Sequence, residues 1–208
     1  MVDAQHGWAV GTAVKEDNIP LVLATTDGGV TWTRQTKGLP ATGIALTGVT
    51  FVDLQHGWTV GDEGAIYATA DGGATWWSQV SGTSELLLDV CFAGPTVGYV
   101  VGENGTILET TRSGSPWVVQ TSGTARTLRD VATAGMTVWA VGDEGVILTG
   151  SVPPPGPAGT GFTDIGDSAY KTAIQSLAAA GIVNGFPDGT FKPDATVKRA
   201  QFAKMIIG

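Results

Sequence analysis

Short apolar stretches of alternating character recur along the first 150 residues, with glycine-rich turns between them. Three of them, AIYAT at 65–69, TILET at 106–110 and VILTG at 146–150, follow turns that read GDEG, GENG and GDEG. Alternation of this kind predicts half-buried β-strands, and glycine-rich turns join neighbouring strands. Three further apolar stretches, LTGVTFVD, LLLDVCFAG and LRDVATAG, extend the strand prediction along this region.

The predicted strands belong to a repeat. Val-Gly pairs at 10–11, 60–61, 101–102 and 141–142 lie 50, 41 and 40 residues apart, and each pair follows an aromatic residue. Four short strands in about 40 residues are the sequence signature of a β-propeller blade. About three and a half four-stranded blades fit into residues 1–150, so a mainly β fold with a partial propeller is predicted. Because the chain begins within a repeat, we expect further blades and a signal peptide before it in the natural protein.

A turn element occurs twice in close copy, as TTDGGVTW at 25–32 and TADGGATW at 69–76. An aspartate that begins a turn accepts hydrogen bonds from backbone N–H groups further along it, and glycines allow positive φ. A tryptophan can bury a large apolar area between neighbouring blades. The predicted structural residues are Asp27, Gly29, Thr31, Trp32, Asp71, Gly73, Thr75 and Trp76. Turn geometry accounts for all of them, so no catalytic residue is assigned.

A third copy of this element, TTRSGSPW at 110–117, is degenerate. It has Arg112 in place of the aspartate and Pro116 in place of the threonine, but it keeps the tryptophan. The element matches the Asp-box, S/T-x-D-x-G-x-T-W, also called the bacterial neuraminidase repeat. The longer repeat QHGWTVGDEGAIYATADGGATWWSQVSGT resembles the propeller repeats of the photosystem II assembly and stability factor family, and this resemblance covers residues 1–150.

The composition and the hydrophobic pattern of the chain change after residue 150. Residues 151–161, SVPPPGPAGTG, contain three consecutive prolines, which favour an extended, semi-rigid spacer. Beyond them, DSAYKTAIQSLAAAGIV and VKRAQFAKMII have apolar residues at helical spacing. The predicted organisation is a propeller domain at 1–150, a linker at 151–161 and a small α-helical module at 162–208.

This module resembles an S-layer homology (SLH) module. The matching pieces are FTDI at 162–165, GIVNGFPDGTFKPDA at 181–195 and KRAQFAKMI at 198–206. The resemblance implies an extracellular protein that is held non-covalently at the cell wall by a secondary cell-wall polysaccharide, often a pyruvylated one. It also implies that Arg199 contacts the anionic polymer and that Asp164 helps to shape the site. The alternative is an Arg199–Asp164 ion pair that only stabilises the module.

Charge and composition exclude several classes of partner. The net charge is −8, and residues 1–150 hold 15 acidic against 6 basic residues, which argues against a nucleic-acid partner. No apolar run of about 18 residues is present, so no transmembrane segment is predicted. The single cysteine, Cys91, is predicted to be a small buried apolar residue. No cofactor is expected.

A catalytic or metal site is not predicted from the remaining residues. Sialidases carry Asp-boxes but also need three arginines, a tyrosine with a glutamate, and an acidic aspartate, whereas residues 1–150 hold four arginines, one of them in the degenerate turn. His6 and His56 fall in matching QHGW turns, where packing is the simpler interpretation than metal binding. The acidic turns are interpreted as a solvated rim or, alternatively, as a surface for a cation or basic partner; they contain Asp62, Glu63, Glu103, Asp143 and Glu144.

Three functional hypotheses follow. In the first, the chain is a non-enzymatic cell-surface protein whose propeller binds an unknown protein or glycan while the SLH module anchors it to the wall. In the second, the propeller is a surface-tethered, sialidase-like glycoside hydrolase. In the third, it is a photosystem II assembly-type factor, which would not need a wall anchor.

Overall fold

The computed structural model describes residues 2–13 and 19–153. The chain divides into two compact units, Met1–Pro153 and Pro154–Gly208, and all of the described residues lie in the first unit. The predicted linker beyond residue 153 and the predicted helical module at 162–208, with Asp164 and Arg199, lie outside the described residues. The organisation into three segments therefore stays a prediction.

The described residues form fourteen strands in four antiparallel sheets. Each sheet is a simple meander in which consecutive strands are neighbours. The strands of the first two sheets are β1 (Gly7–Ala13), β2 (Ile19–Thr25) and β3 (Thr33–Arg34), then β4 (Leu46–Phe51), β5 (Gly57–Gly61), β6 (Ile66–Thr69) and β7 (Trp77–Gln79). Those of the last two are β8 (Leu87–Phe92), β9 (Gly98–Gly102), β10 (Ile107–Thr110) and β11 (Val118–Gln120), then β12 (Leu128–Ala134), β13 (Thr137–Gly142) and β14 (Ile147–Ser151).

Successive sheets meet along their first strands. The hydroxyl of Thr47 in β4 donates a hydrogen bond of 2.6 Å to the carbonyl oxygen of Leu87 in β8. The backbone N–H of Val131 in β12 donates one of 3.0 Å to the Asp89 carboxylate in β8. Adjacent first strands and an outward meander in each sheet are the arrangement of propeller blades. The prediction of a mainly β, partial propeller is confirmed, because fourteen strands amount to three and a half four-stranded blades.

The two outer sheets have three strands each. Within the described residues, the first sheet has no counterpart of β4 before β1, and the last sheet has no counterpart of β7 or β11 after β14. The second and third sheets are complete four-stranded blades. The predicted strands AIYAT, TILET and VILTG are found as β6, β10 and β14, each after a short 3-10 turn at 62–64, 103–105 or 143–145.

The hydrophobic core lies between the sheets. Between the second and third sheets, buried residues of both sheets form one cluster: Trp58, Val60, Ile66, Ala68, Leu87, Val90, Val100, Leu108 and Trp117. A second cluster joins the third and fourth sheets and includes Tyr99, Val101, Leu128 and Val131. Full burial of a valine or leucine side chain contributes about 1.5–3 kcal/mol, so the seams between sheets supply most of the apolar stabilisation.

Candidate functional site

The Asp-box turns are closed by their aspartate side chains. The Asp27 carboxylate accepts a hydrogen bond of 2.9 Å from the backbone N–H of Thr31 and one of 2.6 Å from the hydroxyl of the same residue. The hydroxyl of Thr25 donates a third, of 2.7 Å. These bonds, led by the one from the Thr31 hydroxyl, lower the pKa of Asp27 from 3.8 to about 2. With three donors from its own turn, the carboxylate stays ionised and stabilises the conformation of the turn, and it is not suited to proton transfer.

The second box repeats the same network. The Asp71 carboxylate accepts a hydrogen bond of 2.8 Å from the backbone N–H of Thr75 and another from the Thr75 hydroxyl. The hydroxyl of Thr69 donates to Asp71 at 2.9 Å. Partial burial opposes ionisation, but these bonds outweigh it and the pKa of Asp71 is lowered. Gly29 and Gly73 have φ of 92° and 90°, which only glycine adopts readily.

The degenerate third box lacks both the aspartate carboxylate that accepts hydrogen bonds in the other boxes and the threonine that donates them. Arg112 stands where the carboxylate would be, and Pro116 stands where the donating threonine N–H would be. The turn keeps its other half, because the hydroxyl of Thr110 still accepts from the backbone N–H of Gly114 at 3.0 Å. The tryptophan of this box, Trp117, is buried. The box therefore keeps its packing role without its aspartate.

The first threonine of each box is part of the site but was not among the predicted residues. Thr25, Thr69 and Thr110 are almost fully buried. Thr25 and Thr69 donate to the box aspartate, and each of the three accepts from a glycine N–H four residues later, at 2.9, 2.8 and 3.0 Å. The serine or threonine that the Asp-box motif requires at its first position could have identified these three residues from the sequence.

The box tryptophans have different environments. Trp76 and Trp117 are buried between sheets, whereas Trp32 is 42% exposed. Trp117 donates a 3.0 Å hydrogen bond to the side-chain oxygen of Gln79 in the preceding sheet. Trp32 is exposed because the described residues contain no sheet before the first one.

A pair of phenylalanines that the sequence pattern did not single out completes the seams. Phe51 stacks on Trp8 at 3.6 Å between ring centroids and meets Trp76 edge to face at 6.0 Å. At the next seam, Phe92 stacks on Trp58 at 3.9 Å and meets Trp117 edge to face at 6.0 Å. Each triad joins an aromatic of one sheet to two aromatics of the next, so it fixes the spacing of neighbouring blades.

The QHGW turns are built by local hydrogen bonds. The Asp53 carboxylate accepts from the backbone N–H groups of Gln55 and His56, both at 2.7 Å, and lies 2.8 Å from Nδ1 of His56. Asp3 and His6 repeat this arrangement. The two histidines therefore have a turn-closing role. Among the described residues, no three His, Cys, Asp or Glu side chains lie close enough to hold a metal ion.

The acidic turns are partly neutralised by arginines. Arg129 forms a two-point ion pair with Asp143, with 2.8 Å between Nη2 and Oδ2. Arg126 pairs with Glu144. Hydrogen bonding and charge from Arg129 lower the pKa of Asp143. The predicted acidic rim thus carries less net charge near the last turn than its sequence indicates.

A tyrosine–glutamate pair occurs, but in a setting that opposes nucleophilic chemistry. The hydroxyl of Tyr99 donates a 3.2 Å hydrogen bond to Oε1 of Glu109. Burial first, and then the Glu109 charge, raise the pKa of Tyr99. A neighbouring carboxylate can serve as a base for a nucleophile, but the Tyr99 side chain is only 5% exposed and offers little access to a substrate. Tyr99 also lies in the cluster between the third and fourth sheets, so its role is packing.

The cysteine is half-buried in β8. Burial, with a smaller contribution from the charge of Asp89, raises the pKa of Cys91 to about 12. The pKa of Asp89 is itself raised by burial. The thiol is therefore protonated at neutral pH, in line with the prediction of an inert apolar residue.

Two open grooves occupy equivalent places in the second and third sheets. The first has a volume of about 680 Å³ and is lined by Ile44 and residues 63–67 and 78–84. The second, of about 420 Å³, is lined by residues 104–106 and 119–125. Each lies between the 3-10 turn and the loop after the outermost strand. Val80 and Val119 beside the grooves are exposed. Both grooves are open to solvent along their length, so they could accommodate an extended ligand.

No helix in the described part of the chain is long and apolar enough to cross a membrane.

Comparison with known proteins links both parts of the chain to families. Residues 77–152 match the model of the photosynthesis system II assembly factor YCF48 family. Residues 161–203 match the model of the S-layer homology domain. Two solved structures share the fold of the described part. "YCF48 bound to D1 peptide" has a TM-score of 0.56 and 24% identity over 69% of this chain and 45% of its own. YCF48 from Cyanidioschyzon merolae has a TM-score of 0.52 and 22% identity over 72% of this chain and 50% of its own.

Curated relatives match only over short stretches. Cell surface glycoprotein 1 of Acetivibrio thermocellus is 38% identical over 47 residues, which are 22% of this chain and 2% of that protein. Endo-1,4-beta-xylanase A of Thermoanaerobacterium saccharolyticum is 40% identical over 62 residues, 30% of this chain and 5% of that protein. The chain thus spans a small part of these relatives and about half of the solved structures. Two stretches of the chain thus resemble known families: residues 77–152 resemble the YCF48 repeats, and residues 161–203 resemble the S-layer homology domain.

Proposed function

We propose that this chain is a non-enzymatic cell-surface protein, anchored through its S-layer homology domain and binding a partner through its propeller. The observation that carries the proposal is the order of the two matches, with residues 161–203 following the propeller repeats after a proline-rich segment. The partial match to a cell surface glycoprotein supports the same location. The anchoring ligand would be a secondary cell-wall polysaccharide that carries anionic groups such as pyruvyl ketals.

Arg199 is the residue proposed to hold the polymer. Its planar guanidinium suits two-point hydrogen bonding to a carboxylate, and it occupies the arginine position of the module's four-residue motif, KRAQ at 198–201. Asp164 is proposed to orient this arginine. If the two residues only form a structural ion pair, their substitution will change stability without changing affinity for the wall.

Sedimentation with purified cell-wall sacculi tests the anchoring. The 208-residue chain is expected to co-sediment, and Arg199→Ala is expected to weaken binding at least about tenfold, since loss of one charged hydrogen-bonding partner costs at least ~1.4 kcal/mol. Lys204→Ala, which removes the same charge a few residues away, is the matched control. Equal effects of the two substitutions, or no binding by the unaltered chain, would contradict the proposal.

We propose further that the propeller binds an extended peptide in its repeated grooves. The two equivalent clefts, the exposed Val80 and Val119, and the unpaired outer edges of β7 and β11 in the described sheets support this mode, in which a strand adds to a sheet edge. One structural neighbour is a propeller protein bound to a peptide.

A fluorescently labelled library of unstructured peptides, screened against the chain and a Val80→Lys/Val119→Lys variant, tests the idea. Loss of the selected binders in the variant is expected, and retained binding would refute the groove.

The match of residues 77–152 favours a second candidate, a photosystem II assembly-type factor. Titration with the D1 peptide of the neighbouring solved structure separates the two candidates, because micromolar binding would favour the assembly role. The glycoside hydrolase alternative is less well supported, since Tyr99, which pairs with Glu109, is buried in the cluster between the third and fourth sheets. Turnover of a fluorogenic sialoside or glycoside by the chain would restore it.

A further inference from the structure

The seam between the third and fourth sheets brings together two aspartates that hold the same position in the repeat. Asp89 of β8 pairs with Val101 of the neighbouring strand, and Asp130 of β12 pairs with Val141. In both strands a shift in the pairing register immediately precedes the aspartate. The equivalent residue of β4 is Gly48, which also follows such a shift. Carboxyl groups therefore occupy this position in the third and fourth sheets but not in the second.

This position lies against the first strand of the next sheet. A Cβ added to Gly48 would lie 3.1 Å from Cα of Asp89. One sheet later, the Asp89 carboxylate accepts a hydrogen bond of 3.0 Å from the backbone N–H of Val131 in β12. Val131 directly follows Asp130, and the carboxyl group of Asp130 lies within hydrogen-bonding reach of the carboxyl group of Asp89. The two side chains thus meet across the seam.

The described elements packed around the pair supply no cation that is free to neutralise it. β4 and β5 contain no titratable residue. Besides the pair itself, the titratable residues of β8, β9, β12 and the turns at 62–64 and 103–105 are Cys91, Tyr99, Arg129, Asp62, Glu63 and Glu103. Arg129 is the single cation among these described elements, and it forms the two-point ion pair with Asp143. Two ionised carboxylates at this seam would therefore repel each other.

The surroundings of Asp89 favour its protonated form. Burial is the largest cause and raises the pKa of Asp89; hydrogen bonds from the backbone N–H groups of Val131 and Val90 oppose this, and the charge of Asp130 adds to it. A carboxyl group whose pKa is raised by folding stabilises the fold below its ordinary value of 3.8, and that stabilisation is lost as the pH rises through the folded value. Acidification from neutral pH should therefore strengthen this seam.

We propose that Asp89 and Asp130 form a pH-sensitive contact that holds the third and fourth sheets together more tightly in mildly acidic than in neutral solution. In mild acid the two carboxyl groups share one proton, through an O–H···O hydrogen bond from the neutral group to the ionised one. At neutral pH both groups are ionised, and their repulsion weakens the seam. The seam between the second and third sheets has Gly48 at this position and is an internal reference without this response.

Melting of carboxamide variants tests the proposal. Asp89→Asn removes the charge but keeps an oxygen that can accept from Val131, so at pH 7 it is expected to melt about 2–4 °C above the unaltered chain. It should also lose most of the rise in melting temperature that the unaltered chain shows between pH 7 and about pH 4. Asp130→Asn should act in the same direction. The double variant should add little to either single one, because both substitutions remove the same interaction.

Glu63→Gln is the matched control, because it removes an exposed carboxylate of an acidic turn outside the seam. Its melting temperature is expected to keep the rise in mild acid. Asp130 is exposed, so Asp130→Asn decides the matter should Asp89→Asn not fold. A lower melting temperature of Asp130→Asn at pH 7, or a pH profile that it shares with Glu63→Gln, would overturn the proposal.

Hydrogen exchange locates the response within the fold. Relative to the intrinsic rate at each pH, the amides of β12 are expected to exchange at least about threefold more slowly at pH 5 than at pH 7, because their exchange follows local opening of the seam. The amides of β4, which meets β8 through Gly48, should change less. An equal change in both strands would place the pH response elsewhere in the fold and contradict a pH-sensitive contact at this seam.

Discussion

At the scale of single residues, the box carboxylates act as acceptors inside closed turns, and their charge state is therefore linked to folding. The pKa of Asp27 is about 2 in the folded chain, below its ordinary 3.8, and the pKa of Asp71 is lowered as well. A group whose pKa is lowered by folding stabilises the fold above its unfolded pKa. That stabilisation is lost as the pH falls through the folded value.

We expect the melting temperature to fall between about pH 4 and pH 2, the interval between the ordinary and folded pKa of Asp27. An Asp27→Asn/Asp71→Asn variant should melt at a lower temperature at pH 7 and show a shallower fall in acid. Glu63→Gln, which removes a carboxylate outside the boxes, is the control. Identical acid profiles of the box variant and the unaltered chain, recorded by circular dichroism, would refute the link.

Residues that act within one turn were predictable, and residues that act across a seam were not. Asp71 and Thr75 are four positions apart, so their contact is fixed by local geometry that the motif records. The burial of Trp76 and the exposure of Trp32 depend on whether another sheet stands in front of the residue. Phe51 and Phe92 occupy the same repeat position, and alignment of the repeats on that position would have revealed them.

At the scale of elements, equivalent turns have unequal surroundings. Gly64 and Gly145 end the same 3-10 turn in the second and fourth sheets, with φ of 69° and 76°. A Cβ on Gly64 would overlap the backbone carbonyl of Thr83, whereas a Cβ on Gly145 would meet nothing within 4 Å. The loop after the outermost strand makes the difference, since the described fourth sheet has no such strand.

We therefore expect Gly64→Ala to destabilise the chain by several kcal/mol and Gly145→Ala by only about 1–2 kcal/mol, the cost of positive φ for a residue with a Cβ. Chemical denaturation of the two variants measures both values. Similar losses at the two positions would show that backbone conformation, rather than the overlap with Thr83, sets the cost.

The aromatic triads make a second prediction for the elements. Phe92→Ala removes the ring between Trp58 and Trp117 and should cost about 2–4 kcal/mol, less than the upper range for a fully buried ring because Phe92 is only half-buried. Thr133 holds the equivalent position in β12, so Thr133→Ala, expected to cost below about 1 kcal/mol, is the matched control. Urea unfolding followed by tryptophan fluorescence distinguishes the two outcomes.

At the scale of the whole molecule, the propeller part has its own core. The three apolar clusters found among the described residues extend as far as Val152, and the compact unit ends at Pro153. The mainly β fold was predictable because the alternation of apolar and polar residues along the strands, and the repeat itself, occur in every blade. It could not show which seams are closed, because that depends on what lies beside the outer sheets.

A chain that ends at Pro153 is accordingly expected to keep the melting temperature of the propeller within about 2 °C, since it loses none of the clustered residues and a change of 1 kcal/mol moves the midpoint of such a domain by about 2–4 °C. It should also lose binding to cell-wall sacculi. Differential scanning calorimetry and co-sedimentation measure these two outcomes. A large fall in the melting temperature would mean that residues after 153 contribute to propeller stability.

The half-buried thiol of Cys91 has a practical consequence for work on this protein. Because burial raises its pKa to about 12, it is almost entirely protonated at pH 7, and the thiolate is the form that reacts. Maleimide dyes should therefore leave the unaltered chain almost unlabelled. A cysteine introduced at an exposed site such as Val30 could then carry a fluorophore at a single known position, without removal of the native one.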